Sequence, residues 1–148
     1  MLSGEFASAA QGTTADSALQ DVVDDTTPTL GGPLDAATES ITNVGAIEEE
    51  VNTVATSGAT ETLDVSSHGV HDITMDQNCT FTFSNPAPSG DCSSFVLILR
   101  GAFTPTLPAS VDWGDASAPT YSTPSVYVFT TVDAGTTWLG TQAGKAFG

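Results

Sequence analysis

Few side chains in this sequence could do chemistry, and the two histidines are the first candidates. His68 and His71 lie three positions apart and are the only histidines of the chain. Imidazole nitrogens bind transition metals, so copies of this pair around a threefold axis could supply metal ligands. The alternative is two exposed polar side chains that flank a turn at Gly69. We favour the turn and predict no metal here.

Two carboxylates, Asp112 and Asp115, flank the dipeptide Trp113-Gly114. They could share a hard cation, but such cations need more oxygen ligands than this pair provides. A solvated loop is the favoured interpretation. The sequence therefore predicts neither a metal ion nor a cofactor.

Residues 131–138, TVDAGTTW, fit the Asp-box pattern, a β-hairpin seen in some glycosidases and in many other β proteins. Asp133 can accept hydrogen bonds from backbone N–H groups across the turn, and Gly135 permits a positive φ. Trp138 can pack beneath the hairpin. All three roles are structural, so we predict a structural hairpin and no catalysis at this motif.

Patterns typical of enzymes are missing from the sequence. It contains no Gly-x-Ser-x-Gly, no phosphate-binding Gly-rich loop and no His-Glu-x-x-His. Arg100 and Lys145 are its only basic residues, which leaves little for acid–base or oxyanion chemistry. Paired acids could cleave glycosides, but nothing singles out a pair. We predict a protein that is not an enzyme and has no catalytic residues.

The charge of the chain is extreme, with 18 acidic and two basic residues and a formal net charge of −16. Carboxylates at this density repel one another, and molar salt screens that repulsion. We therefore predict adaptation to high salt, with an ordinary acidic protein as the alternative. Without Lys/Arg clusters the chain is not expected to bind nucleic acid. It has no apolar run long enough for a membrane span.

The two cysteines, Cys79 and Cys92, are expected to be small and mostly buried. A hairpin of residues 79–84 with 92–99 would place Cys92 near Phe83 and Cys79 near Val96. Cysteines with such distant Cα atoms do not form a disulfide without backbone movement. A disulfide and glycosylation of the sequon at Asn78 both stay open.

Composition divides the chain near residue 58. Residues 1–34 are polar and too poor in large apolar side chains to fold alone, and they are predicted to be an N-terminal anchoring arm. Residues 35–57 are predicted to form a short helix. Residues 58–148 carry ten of the eleven aromatic residues and are predicted to form a β domain.

The predicted helix carries an apolar stripe at Val44, Ile47, Val51 and Val54, spaced three, four and three residues apart. This is the a/d spacing of a coiled coil, and β-branched side chains at these positions are compatible with three strands. The stripe therefore predicts a trimerising stalk. One amphipathic helix lying on its own domain explains the same stripe equally well.

The β domain alternates apolar and polar residues with the period of strands. Residues 95–99, FVLIL, are apolar on both faces, as in a central strand covered by two layers. The pattern predicts a mainly β protein with an antiparallel β-sandwich or jelly-roll-like C-terminal domain. The predicted strands are Thr62–Ser66, Val70–Met75, Cys79–Ser84, Ser94–Arg100, Ser110–Trp113, Val126–Val132 and Thr137–Thr141.

Two stretches resemble parts of tailed-virus structural proteins. Residues 6–20, FASAAQGTTADSALQ, resemble the AAQG…ADSALQ segment found near repeats and connectors of tail and head fibres. Residues 73–147 are similar to a small β domain at the ends of many phage structural proteins. The matching pieces of that second stretch are NCTFTFSNP at 78–86, FVLILR at 95–100, LPASVDW at 107–113 and DAGTTWLG at 133–140.

The resemblance implies a fibre, spike or head-decoration protein on the particle of a virus, and the acidic composition suggests a haloarchaeal host. We expect a homotrimer that is anchored to other virion proteins by residues 1–34 and contacts a host-surface glycan or protein. Because the first residues lack a secretion signal, assembly is expected in the host cytoplasm. The rival function is a carbohydrate-binding β-sandwich module of a halophile, for which Trp113 is the candidate platform.

Overall fold

The computed structural model describes residues 42, 44–114 and 116–147. The predicted anchoring arm, residues 1–34, lies outside them. From Ala46 onward the chain forms one compact unit. Within the described residues there are nine strands and no helix. The strands are β1 (Val51–Val54), β2 (Thr60–Asp64), β3 (Val70–Thr74), β4 (Cys79–Ser84), β5 (Ser93–Arg100), β6 (Pro105–Thr106), β7 (Val111–Trp113), β8 (Ser125–Thr131) and β9 (Trp138–Lys145).

The first six strands wind as parallel coils between two sheets. Strands β1, β3 and β5 lie side by side in a six-stranded sheet, and β2, β4 and β6 form a three-stranded sheet. All neighbours within these two sets are parallel. Val51 lies opposite Val70, and Thr60 lies opposite Thr80. Each coil therefore visits both sheets once, as in a β-solenoid.

The last three strands complete the larger sheet, whose order is β1-β3-β5-β8-β9-β7. Strand β8 is antiparallel to β5 and to β9, and the short strand β7 is parallel to β9. A β-bulge interrupts the β8–β9 ladder at Val126/Tyr127. The six-stranded sheet is therefore mixed, with a parallel half and a mostly antiparallel half.

The core lies between the two sheets and is rich in aromatic rings. Phe83 meets Phe95 and Trp138 edge-on, with ring centroids 4.9 and 5.3 Å apart. Burial of a large apolar side chain contributes roughly 1.5–3 kcal/mol, so this cluster is a major part of the stability. The fully buried apolar residues are Leu63, Ile73, Met75, Cys79, Phe81, Phe95, Leu97, Leu99, Tyr127, Phe129 and Trp138.

The prediction of a mainly β protein is confirmed, and each of the seven predicted strands overlaps an observed strand. The prediction of an antiparallel sandwich is wrong for the first six strands, because they pair in parallel. Alternation along a strand reports which face is buried, and it carries no information on the direction of the neighbouring strand.

The hairpin of residues 79–84 with 92–99, considered for the cysteine positions, does not form, because β4 and β5 belong to different sheets. Cys79 and Cys92 are both free thiols. Cys79 is buried, as expected. Cys92 is exposed, so its interpretation as a buried residue is corrected. It lies in the connection just before β5, outside the core.

The predicted helix over residues 35–57 is wrong where the structure describes it. Residues 44–50 belong to neither a helix nor a strand, and residues 51–54 form β1. Residues 35–41 and 43 lie outside the described part. Val51 and Val54 alternate in β1, so they lie on opposite faces: Val51 is 43% exposed, whereas Val54 packs against the core. Parallel pairing with β3 outweighs the weak helix propensity of β-branched valine.

Candidate functional site

The outer face of the six-stranded sheet, which is turned away from the core, carries a row of valines. Val51, Val70, Val96 and Val128 come from β1, β3, β5 and β8, and they lie directly opposite one another in register. Their chain neighbours, such as His71 and Leu97, point inward and are fully buried. We call this row, with its apolar neighbours, the valine face.

A second row continues the valine face next to the first. Ile98 of β5 pairs with Val126 of β8 on the same side of the sheet. Leu139 of β9, opposite Thr130, adds an apolar side chain that is 61% exposed. Residues opposite each other in an antiparallel pair have Cβ atoms about 5 Å apart, so Ile98 lies beside Val126 and Val96 beside Val128.

This surface differs from an ordinary solvent-facing sheet. A sheet with one face in water alternates apolar and polar residues along its strands. In β5 and β8, four of the outward positions are instead Val96, Ile98, Val126 and Val128, all of which are half-buried. A contiguous apolar surface of this kind is typical of an interaction site.

The charged residues that flank the apolar rows form an ion pair. Arg100 Nε donates to Asp72 Oδ1 at 2.7 Å, and Nη2 donates to Oδ2 at 3.0 Å. This bidentate bond raises the pKa of Arg100 above its ordinary value. Each charge of the pair is matched by the other. The pair therefore adds no net charge to the valine face.

Of the four residues of the predicted stripe, three are exposed apolar side chains. Ile47 is 84% exposed and Val44 is 47% exposed, and both precede β1. Val51 begins β1 and belongs to the valine face. Val54 points inward instead. The apolar character of the stripe therefore remains, although the four residues do not share one helical face.

The interpretation of the histidines as two exposed turn residues is wrong for His71. His71 lies in β3 and is fully buried, with its ring edge-on to that of Phe95 at 5.6 Å between centroids. Burial lowers the pKa of His71 below its ordinary value. His68 is half-buried before β3. The described residues contain no cluster of His, Cys, Asp or Glu that could hold a metal ion.

Of the two carboxylates that flank Trp113-Gly114, the structure describes Asp112. Asp112 lies in β7, is exposed, and pairs with Leu139 of β9. Asp115 lies outside the described residues. Asp112 therefore sits at the edge of the outer sheet face, next to the valine face.

Asp133, Gly135 and Trp138 lie in and beside the turn that joins the antiparallel strands β8 and β9. Asp133 Oδ1 accepts hydrogen bonds from the Thr137 amide at 3.0 Å and from the Thr131 hydroxyl at 2.7 Å. These bonds, the backbone one foremost, lower the pKa of Asp133. Gly135 has a φ of 77°, and Trp138 is buried below the turn. These contacts stabilise the turn, and the Asp133 carboxylate is engaged in hydrogen bonds within its own loop.

Comparisons of this chain with protein-family models, with curated proteins and with solved structures give no match. Among the described residues there is also no helix with the length and apolar character needed to cross a membrane.

Sequence reasoning missed the valine face, although its signal was present. The apolar run at residues 95–99 predicted a strand covered on both sides. β5 is central within its sheet, and its inner residues are buried, but Val96 and Ile98 on its outer face are only half-buried. The apolar run therefore also indicates an outer sheet face whose apolar side chains are still partly exposed.

Proposed function

We propose that this chain is a structural protein of a virion, a trimeric fibre, spike or capsid-decoration subunit on the particle surface of a virus with a halophilic host. The viral assignment rests on the resemblance of residues 6–20 and 73–147 to tailed-virus structural proteins. The observation that supports assembly is the valine face, with Val51, Val70, Val96 and Val128 in register.

The valine face gives a second copy a surface on which to pack. Complete burial of an exposed valine contributes roughly 1.5–3 kcal/mol, and these half-buried side chains have about half of that still to gain. Three copies around an axis can turn their valine faces inward and bury all of these side chains together. Ile47, which is 84% exposed shortly before β1, extends the contact beyond the sheet.

Charge also favours this face for self-assembly. At −16 per copy, subunits repel one another over most of their surface. The first row consists of valines alone, and in the second row Asp72, opposite Ile98, is neutralised by Arg100 at 2.7 Å. The Asp72–Arg100 pair therefore brings no net charge into the contact, and the exposed Asp112, opposite Leu139, lies at its edge.

One substitution at the centre of the face tests the assembly. Val96→Asp places a carboxylate in the middle of each contact, and burial of an unpaired charge costs several kcal/mol. The control Thr80→Asp adds the same charge at an exposed strand position of the other sheet. We expect light scattering in molar KCl to give a trimer for the wild type and for Thr80→Asp, and a monomer for Val96→Asp. A monomeric wild type overturns the assembly proposal.

The viral assignment has its own test. Mass spectrometry of purified particles should find the chain as a stoichiometric component, and deletion of residues 1–34 should prevent its incorporation. Its absence from the particles overturns the assignment to the virion.

The second candidate function is a carbohydrate-binding module, and it is favoured by the cavities beside Trp113 described below. The two functions differ in their need for assembly. A binding module keeps its function when Val96→Asp makes it monomeric, whereas a fibre or spike subunit does not.

A further inference from the structure

A notch opens at one edge of the six-stranded sheet because two neighbouring strands differ in length. Edge strand β7 has three residues and ends at Trp113, which lies opposite Gly140 of β9. Strand β9 continues to Lys145. Beyond Gly140, β9 therefore has no partner strand on this side among the described residues. Unpaired strand edges present backbone N–H and C=O groups.

Trp113 stands at the mouth of the notch and is held there by the core. Its ring meets the rings of Tyr127 and Phe129 edge-on, with centroids 5.9 and 5.8 Å away. Gly140 lies beneath it, where a Cβ atom would come within 3.1 Å of the indole. The absence of a side chain at Gly140 therefore lets the indole lie close to the sheet.

Two cavities flank the indole and share Trp113 and Pro119 as walls. The larger has a volume of about 410 Å³, within the range of small-molecule sites. It combines the Trp113 ring with polar side chains from Ser117, Thr141 and Gln142. The smaller, of about 260 Å³, is more apolar and is lined by prolines and by the rings of Tyr121 and Tyr127.

The polar wall of the notch is fixed by hydrogen bonds. Gln142 Nε2 donates to the Thr120 carbonyl at 3.3 Å and to the Tyr127 hydroxyl at 3.3 Å. Lys145 Nζ donates to the same Thr120 carbonyl at 3.3 Å. Tyr121 donates its hydroxyl proton to the Gly101 carbonyl at 2.6 Å. The segment that borders both cavities is thereby tied to β9 and to the loop after β5.

We infer that this notch is a binding site for a neutral glycan, with one sugar ring stacked on Trp113 and its hydroxyls bonded to Ser117, Thr141, Gln142 and the edge of β9. A pyranose ring has an apolar C–H face and a polar rim. The larger cavity offers the same two chemistries, an aromatic plate and a polar wall.

Charge defines the class of glycan. The described residues that line the two cavities include no charged side chain. A sugar carboxylate bound between these walls would meet no cationic partner among the described lining residues. Hydroxyl-rich, uncharged hexose chains therefore fit the site, whereas uronic or sialic acids do not.

A proline-rich peptide is the other ligand that aromatic grooves accept. Such peptides dock on several parallel aromatic ridges. Among the described residues that line the larger cavity, Trp113 is the single aromatic one, and Ser117, Thr141 and Gln142 supply polar side chains. The arrangement favours the sugar.

The glycan site and the proposed assembly surface are built from different residues. The valine row lies on β1, β3, β5 and β8, whereas the notch is lined by β7, β9, Gly114 and residues between 117 and 121. A failure of trimerisation and a failure of glycan binding can therefore be told apart, and neither decides the other.

The test uses the full chain in molar KCl and calorimetric titration with maltohexaose, cellohexaose and mannohexaose. Hexagalacturonate and a proline-rich peptide are the comparison ligands. Ser117→Arg fills the mouth of the larger cavity from an exposed loop position, and Ser89→Arg makes the same change in a different exposed loop. Trp113→Ala removes the stacking plate.

We expect at least one neutral hexasaccharide to bind. Ser117→Arg and Trp113→Ala should weaken that binding about tenfold or more, while Ser89→Arg stays within about twofold of the wild type. Since Ser117 is exposed, its variant should keep the wild-type melting temperature even if Trp113→Ala unfolds. The inference is overturned if no neutral hexasaccharide binds, if only the galacturonate or the peptide binds, or if Ser117→Arg binds as the wild type does.

Discussion

Asn52 donates a hydrogen bond from its side-chain amide to Nδ1 of His71, 2.9 Å away, across the paired strands β1 and β3. Because the amide nitrogen only donates, Nδ1 of His71 accepts and the ring is neutral with its proton on Nε2. Nε2 is buried and has no hydrogen-bond partner among the described residues. The bond therefore holds His71 in its uncharged form within the core.

The first prediction concerns acid stability. Burial lowers the pKa of His71 in the folded protein, so the unfolded chain binds a proton at a higher pH than the folded one. Above the ordinary histidine pKa of about 6.5, this titration does not lower the free energy of unfolding. That free energy should fall by up to about 1.4 kcal/mol for each pH unit below that value, until the folded pKa is reached. Urea unfolding at pH values between about 7.5 and 5 measures the slope.

The control for this prediction removes the titrating ring. His71→Gln keeps a side chain that can form a hydrogen bond with Asn52. The variant should be less stable than the wild type at neutral pH, but its free energy of unfolding should not change across the same pH window. Thr80→Gln, at an exposed strand position of the other sheet, should keep the wild-type slope. A wild-type slope that persists in His71→Gln would assign the acid sensitivity to other groups.

The second prediction separates backbone strain from crowding at two glycines. Gly58 and Gly135 both have positive φ, 66° and 77°. A Cβ at Gly58 meets nothing within 4 Å, whereas at Gly135 it lies 3.1 Å from Pro86 Cγ and 3.2 Å from Trp138 Nε1. Gly58→Ala should cost about 1 kcal/mol and Gly135→Ala about 2 kcal/mol or more, measured by chemical unfolding. Equal costs would mean that the turn at Gly135 relaxes freely.

The third prediction uses the ion pair to test the neutrality of the valine face. Arg100→Gln leaves Asp72 without its partner and should dissociate the assembly seen by light scattering. The monomer should lose less than about 1 kcal/mol of stability, because both side chains are partly exposed. Asp72→Asn combined with Arg100→Gln restores neutrality and should restore assembly. A double variant that stays dissociated would show that the bond itself, and not neutrality, is required.

The fourth prediction concerns salt. The chain has 18 acidic residues and two basic ones, so its carboxylates repel one another. The range of that repulsion, the Debye length, is about 10 Å at 0.1 M salt and about 3 Å at 1 M salt. Near-UV circular dichroism and light scattering should show loss of tertiary structure and assembly as KCl falls from about 3 M to 0.1 M. An unchanged signal across this range would contradict adaptation to high salt.

Local pattern was sufficient to locate most strands. The alternation in residues 79–84, the apolar run at residues 95–99 and the turn chemistry at Asp133 and Gly135 are properties of short segments. The side chains within a few residues decide which face is apolar and where the chain turns. The sequence therefore predicted a mainly β protein and the position of its last hairpin.

The stripe at Val44, Ile47, Val51 and Val54 shows where local pattern failed. Spacings of three and four residues suit one face of a helix, yet in a strand the odd separation of Val51 and Val54 puts them on opposite faces. A parallel ladder with Val70 and Ile73 decides between the two. Each of these two residues lies 19 positions from its partner in the stripe. The periodicity of a short segment carries no information on pairing over such a distance.

The candidate surfaces were likewise decided by tertiary structure. The sequence supplied the acidic charge, the apolar run at residues 95–99 and the aromatic ring of Trp113. Only strand order and register place Val51, Val70, Val96 and Val128 in one row, and only the unequal lengths of β7 and β9 open a notch beside Trp113. Side-chain chemistry and turn formation are local and can be read from the chain, whereas the pairing of distant strands depends on which arrangement buries the shared core best.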